Sequence, residues 1–84
     1  MKILAHTVSK NGKREMILSE SRNGILRLDR LRVGAKGVKI VAGPDGTISS
    51  RTTWKDFLRL TASQIPSSLT PEQSERRLLK AYQA

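Results

Sequence analysis

The stretch KNGKREMILSESRNGILRLDRLRV (residues 10–33) decides the fold, because it carries two Asn-Gly pairs 12 residues apart. Asn-Gly is a strong short-range signal for a β-hairpin turn, since both residues tolerate a positive φ. Asn11-Gly12 and Asn23-Gly24 therefore predict a meander of three antiparallel strands. These strands are expected over residues 3–8, 15–19 and 25–33.

The third predicted strand has apolar side chains on both of its faces. Leu26 and Leu28 share one face. Leu31 and Val33 fall on the other, and a strict period of two cannot place all four in one core. Either a β-bulge near Asp29 resets the register, or both faces of the strand are partly covered. A short helix over residues 26–33 is the alternative, and the strand is favoured.

Glycine and proline mark two further turns before residue 50. Gly34-Ala35-Lys36-Gly37 precedes residues 38–42, which are predicted to form a fourth strand with Val38, Ile40 and Ala42 on one face. Gly43-Pro44-Asp45-Gly46 has proline to fix φ and glycine to supply a left-handed residue, so it predicts another turn. A short return strand over residues 47–49 would follow.

The second half of the chain changes to helical periodicity. One face of a helix over residues 54–65 is formed by Trp54, Phe57, Leu58, Thr61, Ala62 and Ile65. Thr53 is the expected N-cap of this helix, and Pro66 is expected to end it. Thr70, Pro71 and Gln73 form a capping box that predicts a second helix over residues 71–82.

Together these elements predict the α+β class. A four- or five-stranded, mostly antiparallel β-meander over residues 2–50 is followed by two short α-helices, and the 84 residues form one small domain. The side chains expected in the core are Ile40, Trp54, Phe57, Leu58 and Ile65.

The chain has few residues that could carry catalysis. It contains no cysteine and one histidine, His6, for which no partner can be inferred. Its seven carboxylates are scattered, without metal-ligand spacing, and no phosphate-binding glycine motif occurs. We therefore expect a protein that is not an enzyme, with no cofactor and no metal, in which His6 is structural or solvated.

Positive charge is the strongest functional signal. Sixteen Lys and Arg against seven Asp and Glu give a net charge of +9. If residues 22–39 form neighbouring strands, their cations would gather on one sheet face and contact the phosphates of duplex DNA. The expected contacts are Arg22, Arg27, Arg30, Arg32, Lys36 and Lys39.

A second candidate anion site precedes the first predicted helix, although ordinary capping is favoured there. Arg51 stands there among the hydroxyls of Ser50, Thr52 and Thr53, where unpaired N–H groups and the helix dipole favour a phosphate. The alternative is ordinary capping by Thr53 and the polarity of a turn.

Other partners stay open beside duplex DNA. A basic sheet face also keeps a small protein soluble and its edge strands unpaired. The runner-up function is a small basic adaptor or inhibitor that binds an acidic surface of a larger protein, with Val41 or Leu69 among its apolar contacts. RNA is third. Because the aromatic residues are expected in the core, duplex is preferred to single-stranded nucleic acid.

The chain is expected to be cytoplasmic. Neither a signal-peptide core nor an apolar run of membrane-spanning length occurs in it.

The apolar stripe Leu78, Leu79 and Tyr82 on the last helix would provide a seam for a homodimer.

Overall fold

The computed structural model describes the backbone of residues 1–34, 37–42 and 50–83, and the side chains of residues 1–32, 54–55 and 57–82. The elements in chain order are β1 (Lys2–Val8), β2 (Arg14–Glu20), β3 (Leu26–Gly34), β4 (Gly37–Ala42), α1 (Ser50–Leu60), β5 (Ile65–Pro66) and α2 (Pro71–Gln83). The strands form one antiparallel sheet in the order β4-β3-β2-β1-β5. The predicted α+β class is confirmed, with the difference that a short strand lies between the two helices.

Both predicted Asn-Gly turns are present. Gly12 and Gly24 have φ values of 72° and 77°, and among the described residues only glycines have a positive φ. The turns are longer than two residues, because backbone hydrogen bonds close them from Ser9 to Arg14 and from Ser21 to Ile25. The return strand predicted over residues 47–49 lies outside the described residues.

Residues 26–33 lie in β3, so the short-helix alternative is wrong. The pairing of β2 with β3 is regular along its whole length, whereas the pairing of β3 with β4 shifts between Arg30 and Leu31. Leu28 is buried on the α1 side of the sheet and Leu31 on the α2 side. Coverage of both faces therefore explains the two-sided pattern. The explanation by a bulge in β3 is wrong, because the shift skips Val41 of β4 and leaves the alternation of β3 unchanged.

The two helices cover opposite faces of the sheet and create two apolar clusters. On the α1 side the buried residues are Met16, Leu18, Leu26, Leu28 and Phe57. On the α2 side they are Ile17, Leu31, Leu78 and Ala81. Strand β2 contributes to both clusters and is buried from Glu15 to Ser19, so it is the centre of the fold.

Helix α1 begins and ends earlier than the predicted 54–65. Its last turn closes where Thr61 donates to the carbonyl oxygen of Phe57 from both its amide (3.0 Å) and its hydroxyl (2.6 Å). The chain then turns, and Ile65 pairs with Val8 as an edge strand. Pro66 therefore does not end the helix, and Thr53 lies inside the helix and is not its N-cap.

Of the predicted core residues, Phe57 alone is buried within the described side chains, at 4% exposure. Trp54, Leu58 and Ile65 are 44%, 52% and 52% exposed, so those three predictions are wrong. Leu58 is rotated by about 100° from Phe57 around the helix axis and therefore points away from the sheet. The side chain of Ile40 lies outside the described residues.

Helix α2 agrees with its prediction to within one residue. The Thr70 amide donates to Gln73 Oε1 at 3.0 Å, and the Gln73 amide donates to Thr70 Oγ1 at 3.3 Å, which completes the capping box. Leu78 is buried in the α2-side cluster, whereas Leu79 and Tyr82 are exposed.

Candidate functional site

A buried polar cluster joins β1, β2 and α2. The His6 ring contacts Ser74 Oγ through Nδ1 at 2.8 Å and Glu15 Oε1 through Nε2 at 2.7 Å. Arg77 donates to both oxygens of Glu15 through Nε and Nη2. Serine, histidine and a carboxylate also meet in catalytic triads, but here all three side chains are buried. These contacts join α2 to the sheet.

The Glu15 carboxylate is a stable anion in this cluster. Burial by itself raises the pKa of Glu15, but the hydrogen bonds and charges of His6 and Arg77 outweigh burial and hold that pKa below 4.5. Glu15 is therefore ionised near neutral pH, and the guanidinium of Arg77 compensates its charge.

A second polar cluster on the α2 side holds Arg27. Arg27 Nη2 donates to the Tyr82 hydroxyl at 2.6 Å, and its guanidinium carbon lies 5.5 Å from the centroid of that ring. The Tyr82 hydroxyl in turn donates to Oδ1 of Asp29, a fully buried carboxylate. Burial and Asp29 raise the pKa of Tyr82 above 10.0. Arg27 is thus committed to an internal contact on the α2 side.

Arginine side chains gather on the α1 side, at the end of the sheet where β2 begins. Arg14 lies directly opposite Arg32 in the β2–β3 register, and both side chains are exposed. Arg30 is two residues before Arg32 and therefore shares its face. The backbone of Lys39 pairs with that of Arg32 on the next strand. We refer to Arg14, Arg30 and Arg32 as the arginine cluster.

A cavity of about 260 Å³ opens beside the arginine cluster. It is lined by Arg14, Glu15, Met16, Arg30, Leu31, Leu60 and Gln64. Gln64 Oε1 accepts a hydrogen bond from the Thr7 hydroxyl at 2.6 Å, so the amide nitrogen of Gln64 is the group that can donate to a ligand. The Glu15 carboxylate contacts Arg77 on the α2 side. The donors of the cavity on the α1 side are therefore two guanidinium groups and one amide, a combination suited to an oxyanion.

The predicted basic residues do not all gather on one sheet face. Arg27 contacts Tyr82 on the α2 side, whereas Arg30 lines the cavity on the α1 side. Arg22 lies in the turn at the opposite end of the β2–β3 hairpin from Arg14. The expectation of an open basic sheet face is wrong because a helix packs on each face, and only Arg30 and Arg32 of the described set come together.

Several predicted contacts lie outside the described side chains. These are Lys36, Lys39, Arg51, Ser50, Thr52 and Thr53. The backbone of residues 50–53 is the first turn of α1 and does not precede the helix as predicted.

Arg14 and Gln64 are the cavity donors that sequence reasoning missed. A two-residue turn at Asn23-Gly24 would pair Arg14 with residue 33, whereas the longer turn closed by Ser21 and Ile25 pairs it with Arg32. The Asn-Gly pair does not specify this longer turn, so the sequence does not place Arg14 opposite Arg32. No sequence feature predicts that Gln64 lines the cavity, because its position depends on where α1 ends.

Comparison with models of protein families, with curated protein sequences and with solved structures finds no match to this chain. In the part of the chain that the structure describes, no helix is long and apolar enough to cross a membrane. The same residues contain no group of three or more His, Cys, Asp or Glu side chains arranged to hold a metal ion.

Proposed function

We propose that this protein is a non-catalytic nucleic-acid-binding protein that contacts the phosphates of duplex DNA through the arginine cluster. The observation that carries the proposal is the position of Arg14 directly opposite Arg32, with Arg30 on the same face. Like charges directly opposite each other in a sheet are destabilising. A bound phosphate would relieve that repulsion.

The chemistry of the cluster fits phosphate. Guanidinium groups present two parallel N–H donors and hold phosphate oxygens in bidentate pairs. Arg14 and Arg30 both line the cavity, and Gln64 adds a neutral donor. A phosphate seated between them would meet donors from β2, β3 and the segment after α1.

Additional positive charge lies on α1, the helix on the same side of the sheet. Lys55 and Arg59 are exposed and one turn apart. Duplex DNA carries one negative charge for about every 1.7 Å of its axis, so a surface that includes α1 and the cluster would meet several phosphates. Lys36, Lys39 and Arg51 stay proposed contacts, whereas Arg22 and Arg27 are expected to contribute less because of their positions.

The location of the interface is tested with single substitutions to alanine. We expect Arg14→Ala and Arg32→Ala each to weaken binding of a fluorescent 30-base-pair duplex by about tenfold, since one charge-assisted hydrogen bond is lost. Arg76→Ala is the matched control, because Arg76 is an exposed arginine on α2. Fluorescence anisotropy at one fixed salt concentration gives the dissociation constants of the wild type and the three variants.

Equal losses of duplex affinity in all three variants would contradict the proposed location of the interface and indicate diffuse electrostatic attraction. Loss in Arg14→Ala and Arg32→Ala alone would support it. If the wild-type protein does not bind duplex at 50 mM salt, duplex DNA is the wrong partner. The runner-up function, binding to an acidic protein surface, would then be tested by pull-down.

A further inference from the structure

The only tryptophan of the chain is held on the protein surface. Trp54 lies on α1 with 44% of its surface exposed. Large aromatic side chains gain most from burial, and an exposed one is common where a partner covers it. The position of Trp54 therefore needs an explanation outside the hydrophobic core.

The buried ring of Phe57 packs against Trp54. The rings of Trp54 and Phe57 stack with centroids 6.0 Å apart and planes 25° from parallel. Phe57 is itself 4% exposed and packs into the α1-side cluster. This contact restrains the indole, so that its exposed part is a preorganised apolar surface.

Positive charge lies next to this surface. Lys55 is the neighbouring residue and is exposed, and Arg59 lies about one turn further along α1. An aromatic ring beside cations is the arrangement with which proteins hold unpaired bases, since the ring stacks on the base while the cations contact the backbone. Charge complementarity thus favours a nucleic acid as the occupant.

Trp54 lies on the helix that borders the cavity beside the arginine cluster. Leu60, which lines the cavity with Arg14 and Arg30, comes six residues after Trp54 on the same helix. Six residues correspond to about 9 Å along a helix axis. One nucleic-acid ligand can therefore contact both places on the α1 side of the sheet.

We propose that Trp54 stacks on an unpaired base of a nucleic acid whose phosphates are held by the arginine cluster. This inference rests on the proposed function and specifies its substrate class, a duplex that carries unpaired nucleotides. It also reverses the expectation from sequence, in which Trp54 was a core residue and single-stranded segments were disfavoured.

Intrinsic fluorescence tests the inference directly, because all tryptophan emission comes from Trp54. The protein is titrated with a 30-base-pair duplex and with the same duplex extended by a short single-stranded overhang. Anisotropy of a label on the DNA measures binding in parallel. We expect the overhang to quench the Trp54 emission and to increase affinity about fivefold or more, as one stacked base does elsewhere.

Two substitutions separate stacking from helix stability. Trp54→Phe keeps an aromatic face and should retain part of the preference for the overhang. Trp54→Leu keeps an apolar contact with Phe57 but should lose the preference. Leu58→Ala is the control, because Leu58 is an exposed apolar neighbour on α1. This substitution should leave the preference unchanged.

The outcomes distinguish this inference from the proposed function. Binding of both DNAs with equal affinity and without quenching would overturn the stacking inference and leave the proposed function intact. No binding of either DNA would overturn the proposed function. A preference for the overhang that persists in Trp54→Leu would also overturn the role of Trp54.

Discussion

Arg14 and Arg32 lie directly opposite each other on β2 and β3, and both guanidinium groups are exposed on the α1 side of the sheet. Opposed like charges cost folding free energy, whereas opposite charges in the same positions would contribute to it. The sequence thus keeps two cations where a cation and an anion would be more stable. The proposed binding of phosphate would give this pair a physical reason.

The repulsion predicts a trade-off between stability and binding. Arg32→Glu should raise the free energy of unfolding by about 0.5 kcal/mol, because it creates an opposite-charge pair with Arg14. The same change should weaken DNA binding. Urea unfolding measures the stability, with Arg76→Glu on α2 as the control for lower net charge. A loss of stability specific to Arg32→Glu would contradict the account of this pair.

The buried cluster of His6, Glu15 and Arg77 predicts a pH dependence of stability. Because the pKa of Glu15 is below 4.5 in the fold, its contribution is present above that pH and is lost as the pH falls through the folded pKa. Glu15→Gln should cost about 2 kcal/mol near pH 7, since charge-assisted hydrogen bonds are lost. The difference from wild type should shrink below pH 4.5.

Urea unfolding at several pH values measures this difference. Glu72→Gln is the control, because Glu72 is an exposed carboxylate on α2. It should stay within about 0.5 kcal/mol of wild type near pH 7. A Glu15→Gln variant that is constantly destabilised from pH 7 to pH 3 would contradict the role of the ionised carboxylate.

The contact of Tyr82 with Asp29 predicts an unusual tyrosine titration. Burial and Asp29 raise the pKa of Tyr82 above 10.0, whereas Arg27 lowers it in part. Asp29→Asn should therefore bring this pKa back towards 10, and Arg27→Met should raise it further. Ultraviolet absorbance follows the phenolate without ambiguity, since Tyr82 is the only tyrosine. Shifts in the same direction in both variants would contradict the geometry.

Helix α1 predicts opposite results for two adjacent apolar residues. Phe57→Ala should cost about 3 kcal/mol, because it leaves a cavity in the α1-side cluster. Leu58→Ala should stay within about 0.5 kcal/mol of wild type, since Leu58 is half exposed. Thermal or urea unfolding measures both. Similar decreases in the free energy of unfolding for the two variants would contradict the orientation of α1.

The strands were predictable because their turns are encoded locally. Gly12 and Gly24 are the residues that adopt a positive φ, and Asn-Gly pairs are a strong hairpin signal. Turn length was not encoded in the same way. A difference of one residue moves every side chain to the other face of a strand, and for this reason the partner of Arg14 could not be found from the sequence.

The core of α1 could not be predicted from periodicity. The apolar pattern continues through Ala62 to Ile65, but the backbone turns after Thr61 and Ile65 pairs with β1. A period of 3.6 residues cannot show which side of a helix meets the sheet. Trp54 and Leu58 therefore fit the pattern and are nevertheless exposed. The sequence also does not show that a helix packs on each face of the sheet, so it cannot separate the basic residues of β3 by face.

Salt dependence of DNA binding tests the central claim most directly. Binding of the nucleic-acid-free protein to a random 30-base-pair duplex is measured between 50 and 300 mM salt. If the arginine cluster and its neighbours bind phosphates, the log–log slope should be about −4 or steeper, since each neutralised phosphate contributes about −0.9. A slope near zero, or no binding at 50 mM salt, would contradict the account.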